Sequence, residues 1–322
     1  MSTLSRALVL AVFVVLILGG SVFGIAIRRV NHVYDIAPPP IARATAPDEL
    51  ARGGRLFRTM CLDCHAGPGG THAQGARVAS APEFIGQVWA PNITSHPTAG
   101  VGGWSDGELA RLMRYGLRRD GRYASTMPRF PRVADEDVAA IIGFMRSDDP
   151  VVAPSATDTP RSHLGLGGTL ALAYAAGLDV SGAPRLPSPP RGPNAPYGRY
   201  LAATIYGCVD CHTNGFGGTD EKLASPGLLA GGLPLHDVKG AITYSRNLTP
   251  DAETGLAGWT ADDLSRALLT GVSRDGRTLH APMPVFKWMD EGEAQALFAF
   301  LHGLPAVHSP TPAPTPSPPP RG

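Results

Sequence analysis

The chain has 322 residues, of which 43% are hydrophobic and 17% are charged, and its net charge is +1. This composition supplies enough apolar material for compact cores and excludes a disordered chain. The balanced charge gives no indication of a nucleic-acid partner. The length suggests two domains, and the 39 glycines and 32 prolines favour short helices with irregular connections over long strands.

The first element is an uncharged apolar run from Ala7 to Ile27. A run of about 20 such residues can span a bilayer as a helix, whereas a cleavable signal has a shorter apolar region of about 7–15 residues. We therefore expect an uncleaved transmembrane anchor in residues 1–30. Arginines flank the run on both sides, at Arg6 and at Arg28 and Arg29, so the positive-inside rule does not decide its orientation.

Helical patterns then recur in the same order in two halves of the chain. Each half has a helix before a Cys-x-x-Cys-His pentapeptide, a middle helix that begins at a capping box or a looser version of one, and a closing helix. The predicted helices are Pro47–Met60, one after Ser105-x-x-Glu108, Asp135–Arg146, Tyr197–Tyr206, one after Thr260-x-x-Asp263, and Glu291–Leu301. No strand pattern of comparable length occurs, so we expect an all-α fold.

The two pentapeptides are Cys61-Leu62-Asp63-Cys64-His65 and Cys208-Val209-Asp210-Cys211-His212. This pattern is typical of covalent c-type haem attachment. One turn of chain places two thiols where each can bond a former vinyl group of the porphyrin, and the following histidine supplies the proximal ligand of the iron. The sequence therefore predicts two covalently bound haem c groups, on Cys61 and Cys64 and on Cys208 and Cys211, with His65 and His212 as axial ligands.

Two other readings of these cysteines remain open. A redox dithiol also uses Cys-x-x-Cys, but it needs a thioredoxin-like βαβ context, which this sequence does not show. Two such pairs could share one zinc ion, but the usual separation of the pairs is about 15–20 residues, and here 143 residues lie between them (65–207), with a histidine after each pair. The missing βαβ context and the wide separation of the pairs therefore favour haem over a redox dithiol or a shared zinc ion.

An internal repeat locates the remaining candidate ligands. Three motifs recur 155 residues apart, namely Asn-x-Thr at Asn92 and Asn247, Gly-Trp-[Ser/Thr] at Trp104 and Trp259, and Asp-Gly-Arg at Gly121 and Gly276. Met127-Pro128 and Met283-Pro284 follow 156 residues apart. A lone methionine is more often a core residue than a ligand, but the equivalent placement of Met127 and Met283 favours them as the distal iron ligands. His280 is a lesser candidate.

Two further regions lie outside the repeat, a linker between its halves and a C-terminal tail. Residues 151–195 form a linker, in which Leu164–Leu178 is an apolar, glycine-broken helix that packs between the domains or lies on the membrane, and Pro184–Pro196 is extended. Residues 305–322 are a proline-rich tail expected to be disordered.

A cluster of arginines lies on and after the middle helix of the first half, and we expect a solvated face or a docking patch for an acidic redox partner. Its members are Arg111, Arg114, Arg118, Arg119, Arg122, Arg129 and Arg132.

These motifs resemble class I cytochromes c, and more closely the cytochrome c subunit of membrane-bound alcohol, gluconate and aldehyde dehydrogenases. The resemblance covers roughly residues 47–147 and 196–303. It implies two tandem class I cytochrome c domains, at 31–150 and 196–304, with the cysteine, histidine and methionine roles given above. Family subunits usually carry three haem motifs and a C-terminal attachment, whereas this chain has two motifs and an N-terminal apolar run.

The expected function is electron relay between a respiratory or dehydrogenase complex and a redox partner, without a catalytic residue. The alternative is a di-haem redox enzyme, peroxidase-like or thiosulfate-oxidising, in which one iron has an open site. The expected partners are a membrane-bound redox complex or dehydrogenase subunits and a soluble acidic redox protein. Because c-type haem is attached outside the cytoplasmic membrane, we expect a single-pass inner-membrane protein with its haem domains in the periplasm.

Overall fold

The computed structural model describes residues 3–67, 69–78, 81, 83–124, 126–175, 188–215, 217–236 and 241–315. These residues are largely helical. The helices are α1 Thr3–Val30, α2 Pro47–Met60, α3 Leu62–His65, α4 Asp106–Tyr115, α5 Asp135–Met145, α6 Leu166–Leu170, α7 Ala195–Tyr200, α8 Cys208–His212, α9 Thr219–Leu223, α10 Ala261–Thr270 and α11 Glu291–His302. A π-helical turn continues α6 over Ala171–Ala175, and another continues α7 over Leu201–Ile205.

The predicted helices and their caps are present. Helix α2 has the predicted bounds, and α5 and α11 differ from prediction by one residue at their ends. Both middle helices begin at reciprocal capping boxes, Ser105 with Glu108 and Thr260 with Asp263, and both end at a glycine in the left-handed region, Gly116 and Gly271. A local sequence signal therefore determines both ends of these two helices.

The expectation of an all-α fold is wrong in detail, because three short antiparallel pairs of strands are present. They are β1 Ala76–Arg77 with β3 Trp89–Ala90, β2 Gly86–Gln87 with β4 His163–Leu164, and β5 Pro234–His236 with β6 Ile242–Tyr244. Strands of two or three residues carry no alternating pattern that a sequence could reveal. The first and third pairs lie at equivalent places, between the Cys-x-x-Cys-His pentapeptide and the Asn-x-Thr motif of each half.

The chain forms two compact units. The first is the described part of Met1–Leu50, Leu62–Arg132 and Val138–Arg185, and the second is Ala51–Cys61, Val133–Asp137 and the described part of Leu186–Gly322. The domain boundaries expected from the repeat stay a prediction, because a compact unit is defined by which segments lie close together and not by which segments repeat.

The core of the second unit is built around the close approach of α7 and α11. A Cβ atom on Gly198 would lie 1.9 Å from the carbonyl oxygen of Ala296, so only glycine allows these helices to approach this closely. Leu201, Ala296 and Leu297 are almost fully buried beside this contact. The same unit also buries a set of charged and phenolic side chains.

Arg52 is the centre of this buried polar cluster. Its guanidinium donates two hydrogen bonds to Asp137, at 2.6 and 2.8 Å, and one to Glu293 at 2.9 Å. Burial alone would lower the pKa of Arg52, but the hydrogen bond and charge of Asp137 and the charge of Glu293 raise it above its normal value. Three phenols complete the cluster, since Tyr197 and Tyr206 donate to Glu293 and Tyr200 donates to Asp137.

Residues 305–315 differ from the expectation of a disordered tail. The Val307 carbonyl accepts a hydrogen bond of 2.7 Å from Asn247, and the Ser309 amide donates to Thr254. Thr315 pairs with Ile242 through backbone hydrogen bonds in both directions. Proline-rich chain lacks donors for regular structure, but here side chains of the second half supply partners for it. Residues 316–322 lie outside the described residues, as do residues 184–187 of the segment expected to be extended.

Within the residues that the structure describes, α1 is the one helix long and apolar enough to cross a membrane, with a candidate span of Val9–Val30. The helical segment Leu166–Ala175, which is α6 with its π-helical turn, is part of the predicted helix Leu164–Leu178 and packs against α1. Residues 176–178 of that prediction lie outside the described residues.

The buried cluster gives a stability prediction. Replacing Arg52 by Gln removes the cation from buried Glu293 and leaves Asp137 with the more distant Arg191, 3.6 Å away. Removing one partner of a buried ion pair costs about 3–5 kcal/mol. We expect a thermal unfolding midpoint several degrees lower, measured by far-ultraviolet circular dichroism on the full chain in detergent. Arg277→Gln is the matched control, because Arg277 pairs with Asp275 on the exposed surface. Equal midpoints for both variants would show that the cluster contributes no net stability.

Candidate haem-attachment sites

The first pentapeptide forms a helical turn directly after α2. The Cys61 amide donates to the carbonyl of Phe57 at 2.9 Å, and α3 then runs from Leu62 to His65. Residues three apart lie on one face of such a turn. Cys61 and Cys64 therefore share a face, and His65, which is buried, completes the turn.

A backbone carbonyl fixes the His65 ring. The Nδ1–H of His65 donates to the carbonyl oxygen of Pro91 at 2.7 Å. Because a carbonyl can only accept, this contact sets the tautomer in which Nε2 carries the free lone pair. Burial lowers the pKa of His65, although the hydrogen bond to Pro91 opposes this effect. The side chain is thus a neutral, oriented imidazole, which is the form that binds a metal through Nε2.

The second pentapeptide repeats this geometry. Helix α8 begins at Cys208, after Gly207 in the left-handed region, and ends at His212. The Nδ1–H of His212 donates to the carbonyl oxygen of Arg246 at 2.7 Å, and burial lowers the pKa of this ring as well. Pro91 and Arg246 lie at the same place in the repeat, one residue before each Asn-x-Thr motif.

The short strands explain how these carbonyls reach the histidines. The Gly75 amide donates to the carbonyl of His65, and β1, which follows immediately, pairs with β3, which immediately precedes Pro91. The antiparallel pairing therefore returns the chain to the histidine. In the second half Gly231 donates to the carbonyl of His212, and the pairing of β5 with β6 returns the chain towards Arg246.

The Asn-x-Thr motifs hold these loops in shape through side-chain hydrogen bonds. The Asn92 Oδ1 accepts from the amide and the hydroxyl of Thr94, at 2.9 and 2.6 Å, and its Nδ2 donates to the carbonyls of Ser155 and Thr157. Asn247 accepts from Thr249 in the same way. The sequence signal for this role was the recurrence of the motif 155 residues apart, at Asn92 and Asn247.

The thiols do not have the properties of a redox dithiol. Burial, with a contribution from Asp63, raises the pKa of Cys64, and burial raises the pKa of Cys208 to about 12. The pKa of Cys211 is also raised, first by burial and then by Asp210. Reactive cysteines of Cys-x-x-Cys redox motifs have lowered pKa values instead. No disulfide joins the four cysteines, all of which lie in the described chain.

The methionine loops are tied to the middle helices in the same way in both halves. In the first half the Ala124 amide donates to the carbonyl of Gly116, and the Phe130 amide donates to that of Met113. Met127, half-buried, lies in the turn between these two hydrogen bonds.

In the second half the Leu279 amide donates to Gly271 and the Phe286 amide donates to Leu268, with half-buried Met283 between them. His280 is exposed, and its carbonyl accepts from the Met283 amide. Met113 in α4 and Met145 in α5 have no methionine at the equivalent place in the second half, and both are buried.

The expected arginine face is wrong for Arg111 and Arg114, which are only 7% and 2% exposed. Arg111 donates to the carbonyls of Ile36, Arg118 and Arg119, and Arg114 donates to that of Pro131. Their long side chains extend under the following loop and satisfy its backbone, so a helical face of charges is not a solvated face here.

The donor set fits haem c and does not fit a shared zinc ion. Each site has two thiols on one face of a turn, followed by a neutral imidazole with Nε2 as its free nitrogen, as covalent haem requires. In the chain as far as the structure describes it, no three His, Cys, Asp or Glu side chains come together as a metal-binding group. His65, with Cys61 and Cys64, and His212, with Cys208 and Cys211, would therefore hold one haem each.

Comparisons with known proteins identify cytochrome c proteins among the relatives of this chain. Residues 48–145 match the family of cytochrome c oxidase, cbb3-type, subunit III. The chain is 27% identical over 261 residues to the cytochrome c subunit of a quinone-type alcohol dehydrogenase from Gluconacetobacter polyoxogenes, covering 77% of this chain and 54% of that protein. The chain therefore spans about half the length of that curated relative.

Two further relatives are similar over different spans. A di-haem cytochrome c-type protein of Cereibacter sphaeroides is 28% identical over 281 residues, 80% of this chain and 87% of that protein. The gluconate 2-dehydrogenase cytochrome c subunit of Pantoea cypripedii is 37% identical over 113 residues, 34% of this chain and 23% of that protein. The chain therefore resembles the cytochrome c subunits of alcohol and gluconate dehydrogenases and a di-haem cytochrome c, and its match to the family model lies in residues 48–145.

Proposed function

We propose that the protein is a membrane-anchored, periplasmic di-haem cytochrome c that relays single electrons between a dehydrogenase or respiratory complex and a redox partner. Each half forms one class I cytochrome c domain. In the first, Cys61 and Cys64 bind the haem, with His65 and Met127 as axial ligands. In the second, Cys208 and Cys211 bind the haem, with His212 and Met283 as axial ligands.

One observation carries this proposal. In both halves a buried imidazole donates through Nδ1 to a backbone carbonyl at 2.7 Å, directly after two thiols on one helical turn. A single example could be incidental, but the same hydrogen bond, the same glycine contact to the histidine carbonyl and the same methionine loop occur twice. A catalytic haem needs one iron with an open site, and the two equivalent methionine loops favour a carrier.

When bound, each haem supplies a one-electron iron couple whose potential depends on the axial ligands and on the burial of the site. The protein's residues determine that potential. The carbonyls of Pro91 and Arg246 orient the imidazoles and raise their basicity through Nδ1. A thioether from Met127 or Met283 favours the reduced state, and the turns that hold them are anchored at both ends to α4 and α10.

The partner follows from the relatives and from α1. Cytochrome c subunits of dehydrogenases are among the similar proteins, which supports a dehydrogenase as electron donor. If α1 spans the inner membrane once, the haem domains remain at its periplasmic surface. The exposed arginines of the cluster that a soluble acidic acceptor could use, Arg118, Arg119 and Arg122, lie within ion-pair distance of Asp120 or Glu108. This pairing favours the membrane partner.

The complex can be tested by purification. We expect the tagged full chain, extracted in mild detergent from its native membrane, to co-purify with a dehydrogenase catalytic subunit and to be reduced when that enzyme's substrate is added. Chain that purifies alone, and that no dehydrogenase substrate reduces in intact membranes, would contradict the relay from a dehydrogenase.

The distal ligands can be tested by substitution. Met127→Leu and Met283→Leu each remove one thioether, so we expect each variant to lose about half of the far-red absorption band that marks ferric haem with methionine ligation, and the double variant to lose all of it. Met145→Leu, in the buried face of α5, is the matched control and should keep the band. An unchanged band in both single variants would exclude these methionines as ligands.

The Asn-x-Thr motifs give a separate prediction about potential. Asn92→Ala frees the loop that holds Pro91, weakens the hydrogen bond to His65 and lowers the basicity of the imidazole. We expect the reduction potential of one haem to rise while the other is unchanged, measured by spectroelectrochemical titration. Asn247→Ala should affect the other haem. Asn194→Ala, which removes the N-cap of α7, is the control and should leave both potentials in place.

A further inference from the structure

Residues Leu166–Ala175, which comprise α6 and the π-helical turn after it, are held by two elements of the first unit. They pack against α1 and against the short 3₁₀ helix Glu83–Ile85. A Cβ atom on Gly168 would lie 2.2 Å from the carbonyl oxygen of Ile85, so glycine is required for this approach. We call Leu166–Ala175 the interfacial segment.

Specific contacts fix the interfacial segment to the C-terminal third of α1. The Tyr174 hydroxyl donates to the carbonyl oxygen of Val22 at 3.0 Å. The Arg29 guanidinium donates to the carbonyl oxygen of Ala173 and lies 4.9 Å from the centre of the Tyr174 ring. Ala26 and Ala173 are almost fully buried, and such small residues allow helices to approach closely within a membrane.

The position of these contacts along α1 determines their depth in a bilayer. A helical span of 22 residues, Val9–Val30, is about 33 Å long at 1.5 Å per residue, close to the ~30 Å of the hydrocarbon core. Val22 lies eight residues before the end of this span, or about 12 Å along the axis. Any bilayer that α1 crosses therefore surrounds the level at which Tyr174 binds α1.

The surface of the interfacial segment suits that depth. The sequence contains no charged residue from Leu164 to Leu178. Leu166 and Tyr174 are 62% and 46% exposed, and Phe84, against which Gly167 packs, is 61% exposed. This apolar surface adjoins α1 and includes Tyr174, a residue type that is enriched in membrane-interface regions.

We propose that the interfacial segment and Phe84 are embedded in the outer leaflet of the membrane, as a second point of lipid contact beside α1. This inference rests on the proposed function in one respect, namely that α1 spans the membrane. It goes beyond that function because a single helix would leave the haem domain free to rotate, whereas two points of contact fix one face of the domain on the bilayer.

The contact is linked to the first proximal histidine through a short stretch of chain. Leu164 pairs with Gly86, and the Ser162 hydroxyl bridges the backbone amide and carbonyl of Trp89. Two residues after Trp89, the carbonyl of Pro91 accepts the hydrogen bond from the Nδ1–H of His65. The interfacial segment therefore holds the loop that carries the His65 contact at the membrane surface.

The experiment is photolabelling of the full-length holoprotein in nanodiscs of phosphatidylcholine and phosphatidylglycerol that contain a phospholipid with a photoactivatable group on its acyl chain. We expect peptides with Phe84 and with Leu166–Ala175 to be labelled along with α1. Val285, which is 45% exposed in the second unit, is the control for labelling of any exposed apolar side chain and should remain unlabelled.

The outcomes separate the two proposals. Label on α1 without label on the interfacial segment overturns the inference and leaves the anchor in place, and label on neither overturns the anchor as well. Leu166→Glu together with Phe84→Glu should abolish labelling of the segment while α1 stays labelled and the haem spectrum is unchanged. Persistent labelling of the segment in this variant would show that the apolar surface is not what inserts.

Discussion

The hydrogen bond from a buried histidine Nδ1–H to a backbone carbonyl is the interaction on which both candidate sites depend. It is 2.7 Å long in each half, from His65 to Pro91 and from His212 to Arg246. It fixes the tautomer, orients the ring and leaves Nε2 with the free lone pair that a metal ligand needs. Without it, two thiols and a histidine on a helical turn would be near one another but not oriented.

Much of the surrounding structure serves to place these two carbonyls. The short strand pairs return the chain to the helical turn, and the asparagine of each Asn-x-Thr motif holds the loop through three or more hydrogen bonds. In the second half the loop also binds the backbone of residues 307 and 309, which is why that proline-rich stretch has a defined position. The eight extra residues of the second half fall between its pentapeptide and Asn247, where β5 and β6 replace the shorter β1 and β3.

Local features of the fold could be predicted from the sequence, and long-range ones could not. Capping boxes, apolar spacing and the pentapeptides predicted the helices within a few residues, because these signals act within one or two turns. The Arg52 cluster joins residues as far as 241 positions apart, so no local pattern reveals it. Arg111 and Arg114 differ from the expected solvated face because a charged side chain can be buried when backbone carbonyls lie within its reach.

The central claim is that each half holds one haem through two thioether bonds and a carbonyl-oriented imidazole. The most direct test is the intact mass of the full-length protein produced in a host that matures c-type cytochromes. The account predicts a polypeptide heavier by two haems, with the added mass divided between the peptides that contain Cys61 and Cys64 and those that contain Cys208 and Cys211. A mass equal to that of the amino acids alone, or one haem only, would contradict it.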